Sequence, residues 1–237
     1  MHLLQLLQIT TTAPADTVAG AGNEAVSVLD LIFAGGFVMI PLFLLSILAV
    51  YIFVERVLTI KKASNTPIQF TDKIRHLVLN GDITGARMVC AQNDTPISKM
   101  IEKGISRIGS PLKTIEVAIE NVGRIEIYKL EKNLSLLATI AGAAPMIGFL
   151  GTVTGMIQAF IAIAQEEGTV SPKLLSSGIY EAMITTAAGL LVGIVAYLGY
   201  NYLVSQVQKV IHKMEYNSID FIDLLQEPDK NEFKIKV

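Results

Sequence analysis

The sequence predicts an all-α integral membrane protein with three transmembrane helices, the second and third extending into the cytoplasm as long helices. Three observations carry that prediction. The chain is oily, with 51% hydrophobic and only 17% charged residues and a mean hydropathy of +0.52, where a soluble domain carries about 25% charged residues. It holds three stretches free or nearly free of charge, each as long as the roughly 20 helical residues that cross a bilayer. Its Lys and Arg residues are bunched between and after those stretches.

Residues 1–30 contain no Lys or Arg and are expected outside the cytoplasm. The run Leu3, Leu4, Leu6, Leu7, Ile9 before Ala13-Pro14-Ala15 has the outline of a cleaved leader, but it is short and no basic residue precedes it. A periplasmic amphipathic segment on the outer leaflet is the reading adopted.

The first span, 31–54, carries no charge, and it includes Gly35, Gly36 and Pro41, which membrane helices tolerate where the freed backbone groups are satisfied locally. Segment 55–133 follows with thirteen Lys and Arg, against one in 165–173 and five from residue 205 onward. The positive-inside rule therefore places 55–133 and 205–237 in the cytoplasm and the N-terminus outside. Residues 134–164 form the expected second span, 165–173 a periplasmic loop and 174–204 the third span.

The cytoplasmic region reads as helices rather than as a domain with a cleft. Asn80-Gly81 ends one helix and Asp82 caps the next. Ile97, Ile101, Ile105 and Ile108 recur at helical spacing. Ser110-Pro111 is a start signal, a capping hydroxyl before a proline at the first helical position, and the stripe Leu112, Ile115, Ile119, Val122 follows. With no proline before Pro145, the second membrane helix is expected to be the upper part of a rod that begins in the cytoplasm.

Ser171-Pro172 repeats the start signal, so the third helix is expected from about residue 172. Glu181 then lies roughly 13 Å inside it at 1.5 Å per residue. It is the one charged side chain in the three spans. An acid there costs about 2.5–3.5 kcal/mol on insertion scales and faces protein or water. Desolvation favours its neutral form, so it can take up and release a proton near neutral pH. The alternative is an interfacial carboxylate, if the membrane begins further along the helix.

Steps of four from Glu181 give Thr185, Gly189 and Gly193, with Thr186 at the edge of the stripe. On the second helix Gly148, Thr152 and Gly155 form a matching stripe, and Gly151 with Gly155 makes a GxxxG spacing. Small residues let helices approach closely in lipid, so the five glycines are candidates for helix packing or pore lining. Glu181, Thr152, Thr185 and Thr186 are the candidate proton pathway.

The segments APMIGFLGTVTGM (144–156) and EAMITTAAGL (181–190) resemble the paired signature segments of the MotA/TolQ/ExbB proton-channel family, most like ExbB or TolQ. The resemblance extends in layout to the first span, the Glu55-Arg56 pair after it and the large cytoplasmic loop. It implies that Glu181 faces a pore, with Thr152 and Thr186 nearby. It also implies a homo-oligomer, a pentamer, around an ExbD- or TolR-like single-span partner in the bacterial inner membrane, driving a TonB- or TolA-like protein. Residues 1–30 and the tail carry no family motif.

Other functions remain open on the residues. An intramembrane enzyme would need a second catalytic group, yet the spans hold no His, Asp or Cys, and neither HExxH nor GxSxG occurs. A purely structural membrane scaffold would explain the glycines but not Glu181. Within the family, TolQ-type and gliding-motor roles stand beside ExbB. No enzyme activity, metal or cofactor is implied. Cys90 reads as a buried thiol, and His76 and His212 as ordinary histidines without paired ligands. The basic residues of 55–133 alternate with acids, which gives nucleic-acid binding no support.

Overall fold

The structure, a computed structural model, describes residues 35–65, 67, 69–165 and 172–226. The expected periplasmic segment 1–30, most of the loop 165–173 and the end of the tail lie outside the described residues. Within them the chain is helical without strands. The seven helices are α1 (Met39–Ser64), α2 (Gln69–Leu79), α3 (Ile83–Ala91), α4 (Pro96–Ile105), α5 (Leu112–Glu131), α6 (Leu134–Gln165) and α7 (Pro172–Gln226).

Three helices are long and apolar enough to cross a membrane: α1, the α5–α6 rod and α7. At 55 residues, α7 is roughly 80 Å long, well beyond the ~30 Å of a bilayer core. It is the mast on which the other elements pack. Its longest contact is with α6, and α1 lies against both but mainly against α7. The hairpin α4–α5 packs on the far half of α7. A continuous core from Ala49 and Ile52 through Leu137, Leu203 and Val207 to Phe221 links the two halves. Large apolar side chains along the spans point outward, among them Phe43, Met146, Phe149, Leu191 and Leu198, as a lipid-facing or partner-facing surface requires and a soluble protein avoids.

The first helix starts later than the charge-free run and ends ten residues past Val54. Gly35 and Gly36 form a turn ahead of it rather than sitting within it, with Gly36 at φ +64°. Pro41 falls in the first turn, where no intrahelical N–H bond is due. Proline there removes nothing.

Asp82 caps α3 as expected, accepting from the Gly85 N–H at 2.8 Å, and Gly81 ends the preceding helix at φ +73°. Ile97, Ile101 and Ile105 are buried while Ile108 lies at the surface. The Ser110-Pro111 signal is shifted by one residue. Pro111 itself is the cap of α5, extended at ψ 138°, and no side-chain hydroxyl caps the helix. Pro172 is the first residue of α7; Ser171 lies outside the described residues.

The rod of the second membrane helix has a joint. Lys132 is extended (ψ 136°) and Asn133 is left-handed (φ 64°), a conformation asparagine tolerates better than most residues. The break orphans carbonyls at the end of α5. Arg56, 4% exposed, supplies a donor: its guanidinium reaches from α1 to the Lys129 carbonyl at 3.0 Å, while Glu55 pairs with it at 2.5 Å through Nε. A buried arginine thus caps the joint and ties α1 to it.

A chain of ion pairs continues from there along the membrane-distal region. Glu126, also buried, accepts from Lys129 at 2.6 Å and lies 3.5 Å from Lys99. Lys99 and Lys62 both hold Asp94, at 2.8 and 2.9 Å. The two ammonium groups, Lys99 first, pull the Asp94 carboxyl down to about 2, and Asp94 in turn raises the Lys99 pKa. Cys90 is buried, and desolvation pushes its thiol up to about 12, which leaves it protonated and unreactive.

Candidate functional site

The site lies where α7 crosses α6 and meets the amino end of α1. Close approach is what the sequence of α6 and α7 is built for. A side chain at Gly148 would meet the Thr185 carbonyl at 2.8 Å and the Gly189 Cα at 3.1 Å; one at Gly189 would meet the Ala144 carbonyl at 2.6 Å and the Gly148 Cα at 2.8 Å. Gly155 stands against Ala182 and Gly178, and Gly151 against the Thr185 side chain. Gly193 nests over the Pro145 ring, 2.7 Å from Cδ for a methyl placed there. Backbone therefore lies on backbone along the seam, the arrangement small residues permit where lipid gives little hydrophobic drive. All five candidate glycines are buried in this seam within one chain.

The candidate threonines divide between the seam and its edges. Thr185 is 1% exposed and donates to the Ala182 carbonyl at 2.8 Å. Thr186 donates across the seam to the Gly148 carbonyl at 3.2 Å. Thr152 donates to the Phe149 carbonyl of its own helix at 2.6 Å. Each hydroxyl has one proton to give and has given it to a backbone carbonyl. What remains on each oxygen is acceptor capacity, which suits a protonated carboxylic acid as a donor.

Glu181 sits one turn before Thr185 on α7 and is half-buried. Its carboxyl reaches the turn ahead of α1, where it lies directly over Gly36. Gly35 faces the Thr185 methyl, 3.4 Å from where its own Cβ would stand. The structure thus brings Glu181 and Thr185 to the amino end of α1, while Thr186 turns to the Gly148 carbonyl of α6. Thr152 is placed at the edge of the seam rather than beside the carboxyl.

The part played by α1 is absent from the sequence reading. The Gly35-Gly36 pair lies inside a charge-free run, where it reads as tolerated within a helix. Elsewhere, a cavity of about 500 Å³ between α1 and α7 is lined by Ser46, Phe53, Val195, Tyr202 and other residues, none of them a carboxylate or a base. Among the described residues no three His, Cys, Asp or Glu side chains converge to hold a metal.

Comparison with known proteins gives a consistent picture. Residues 92–216 match the model of the MotA/TolQ/ExbB proton channel family. The chain is 30% identical over 195 residues to an ExbB homolog of biopolymer transport from Methanothermobacter thermautotrophicus, covering 80% of this chain and 67% of that one. It is 35% identical over 183 residues to the biopolymer transport protein ExbB-like 1 of Synechocystis, covering 75% and 70%. A shorter match, 38% over 99 residues and 41% of each chain, is to the Tol-Pal system protein TolQ of Haemophilus influenzae.

Proposed function

The chain belongs to the MotA/TolQ/ExbB proton channel family, and from that premise we propose that it is the channel-forming subunit of a proton-driven inner-membrane motor in which Glu181 is the proton-responsive group. The observation that carries the reading is the isolation of that carboxyl. Between residues 174 and 208 it is the single ionisable acid or base other than tyrosine, and it lies one turn from Thr185 on a helix whose small residues let it approach α6 closely.

In this reading copies of the chain assemble as a ring, with α6 and α7 around a central apolar channel. An ExbD- or TolR-like single-span partner occupies the channel, and the work is delivered to a TonB- or TolA-like protein. The N-terminus is periplasmic and the C-terminus cytoplasmic. One charge crossing 100 mV releases about 2.3 kcal/mol. To do work rather than leak, proton passage has to be tied to a change of helix contacts. A carboxyl that is neutral in one contact and charged in another supplies that tie, because desolvation penalises only the charged form.

Glu181→Gln keeps size and hydrogen-bonding capacity but cannot ionise. The variant is expected to insert and assemble with its partner in normal yield while losing growth that depends on the driven outer-membrane process. Full growth with Glu181→Gln removes the glutamate from the mechanism; lost growth with lost assembly makes it a structural residue.

A further inference from the structure

We propose that Gly36 is a positioning residue for Glu181: the side chain it lacks leaves, at the amino end of α1, the space that the Glu181 carboxyl occupies. The proposal rests on the reading of Glu181 as the proton-responsive group and adds a third helix to its surroundings.

Gly36 is fixed by its turn. The Met39 N–H donates to the Gly36 carbonyl at 3.2 Å and the Ile40 N–H to the Phe37 carbonyl at 3.2 Å, so the residue cannot swing away without unwinding the start of α1. Its φ of +64° belongs to the left-handed region that glycine enters freely. A Cβ built there collides with Glu181 Oε1 and stands 3.1 Å from Cδ and 3.9 Å from Cγ. The whole carboxyl end of the glutamate therefore covers this one backbone position.

The nature of the contact sets the consequence. At Gly189 an added methyl meets the backbone of α6, which must move bodily. At Gly36 it meets the far end of a flexible side chain, which can turn aside. A substituent at 36 thus acts on where the carboxyl sits and leaves the helix seam in place. Gly35 packs first on the Met39 side chain and stands within ordinary contact of the Thr185 methyl, 3.4 Å from its would-be Cβ, so the same end of α1 meets both Glu181 and Thr185.

Two further glycines separate this effect from backbone strain. Gly81 (φ +73°) and Gly109 (φ +94°) are left-handed as well, and nothing lies within 4 Å of a Cβ at either. Alanine at those positions carries the strain without the collision.

The test uses membranes containing the full chain with its single-span partner and a hydrophobic carbodiimide, which labels protonated carboxyls in apolar surroundings. The modified 181 peptide is quantified by mass spectrometry. Gly36→Ala is expected to change the initial labelling rate by roughly threefold to tenfold, the scale of a side chain forced off its rotamer, while Gly81→Ala leaves it unchanged. Gly36→Asn adds the same Cβ on a residue that tolerates the left-handed region, and is expected to change the rate likewise. In a Glu181→Asp background, whose shorter side chain withdraws the carboxyl from position 36, adding Gly36→Ala should have little effect. The proposal is overturned if Gly36→Ala and Gly36→Asn label like the wild type, or if their effect persists in full with Glu181→Asp. Labelling reads the carboxyl whether or not protons move. Unchanged labelling therefore removes Gly36 alone, and transduction surviving Glu181→Gln removes the functional reading alone.

Discussion

Replacing Gly189 with alanine probes the seam on which the site is built, and Gly142→Ala is its matched control. Both glycines lie in membrane helices, but nothing stands within 4 Å of a Cβ at Gly142, whereas at Gly189 the Ala144 carbonyl is 2.6 Å and the Gly148 Cα 2.8 Å away. Both obstacles are backbone, so no side chain can yield. To reach an ordinary 3.4 Å contact, α6 and α7 must part locally by roughly 0.6–0.8 Å, a gap that forfeits about a quarter to a half of the dispersion attraction of the atoms involved. Overpacking of this kind costs about 1–3 kcal/mol. The Thr186 to Gly148 bond, already 3.2 Å, would lengthen beyond use and add about 0.6 kcal/mol, the mean for hydrogen bonds between membrane helices. Both variants gain up to about 1 kcal/mol of helix propensity, which cancels in the comparison. Unfolding of the purified chain in a denaturing-detergent titration should therefore show Gly189→Ala less stable than Gly142→Ala by about 1.5–3.5 kcal/mol. Equal stabilities within about 0.5 kcal/mol would mean that the seam is not backbone on backbone.

Three further outcomes follow from the surrounding structure. Arg56→Met removes the cap of the α5–α6 joint and leaves the Lys129 carbonyl without its donor, while Glu55, a third exposed, turns to water; thermal unfolding should show a loss of about 1–3 kcal/mol, and Arg56→Lys, which lacks the planar fork, should recover only part of it. Asp94 has a folded pKa held near 2 against an ordinary 3.8, so its contribution is complete above about pH 4 and disappears as pH falls through 2; because Asp94 is well exposed, Asp94→Asn should cost less than about 1 kcal/mol at neutral pH, an effect that fades with salt and vanishes at low pH. For orientation, a cysteine at Thr169 should react with an impermeant maleimide added from the periplasm and one at Ser64 should not; the buried Cys90 with its thiol pKa near 12 gives no background, and the reverse pattern inverts the proposed topology.

The spans and their small-residue stripes were legible because lipid imposes a length and a composition that a single sequence displays. Helix ends set locally were legible too, as at Gly81 and Asp82, where the turn and the cap need only neighbouring residues. Features set by distant partners were not. The joint at Lys132-Asn133 has no proline or glycine to announce it, and its cap comes from Arg56, 73 residues away from the carbonyl it holds. Arg56 and Glu126 are charged residues that pattern reasoning puts at the surface, and they are buried because each meets partners from another element. In the candidate site, Glu181 stood out as a lone acid in an apolar run, while the contact with Gly36 depends on how α1 enters the bundle, which periodicity does not encode.

The central claim is that protons pass by way of the Glu181 carboxyl. Its most direct test is proton flux into liposomes containing the purified complex with its single-span partner, read with a trapped pH-sensitive dye under an imposed potential. The account predicts that the wild type acidifies the lumen and that Glu181→Gln, reconstituted in equal amount and equally assembled, conducts no faster than empty liposomes. Flux through Glu181→Gln at the wild-type rate would contradict it.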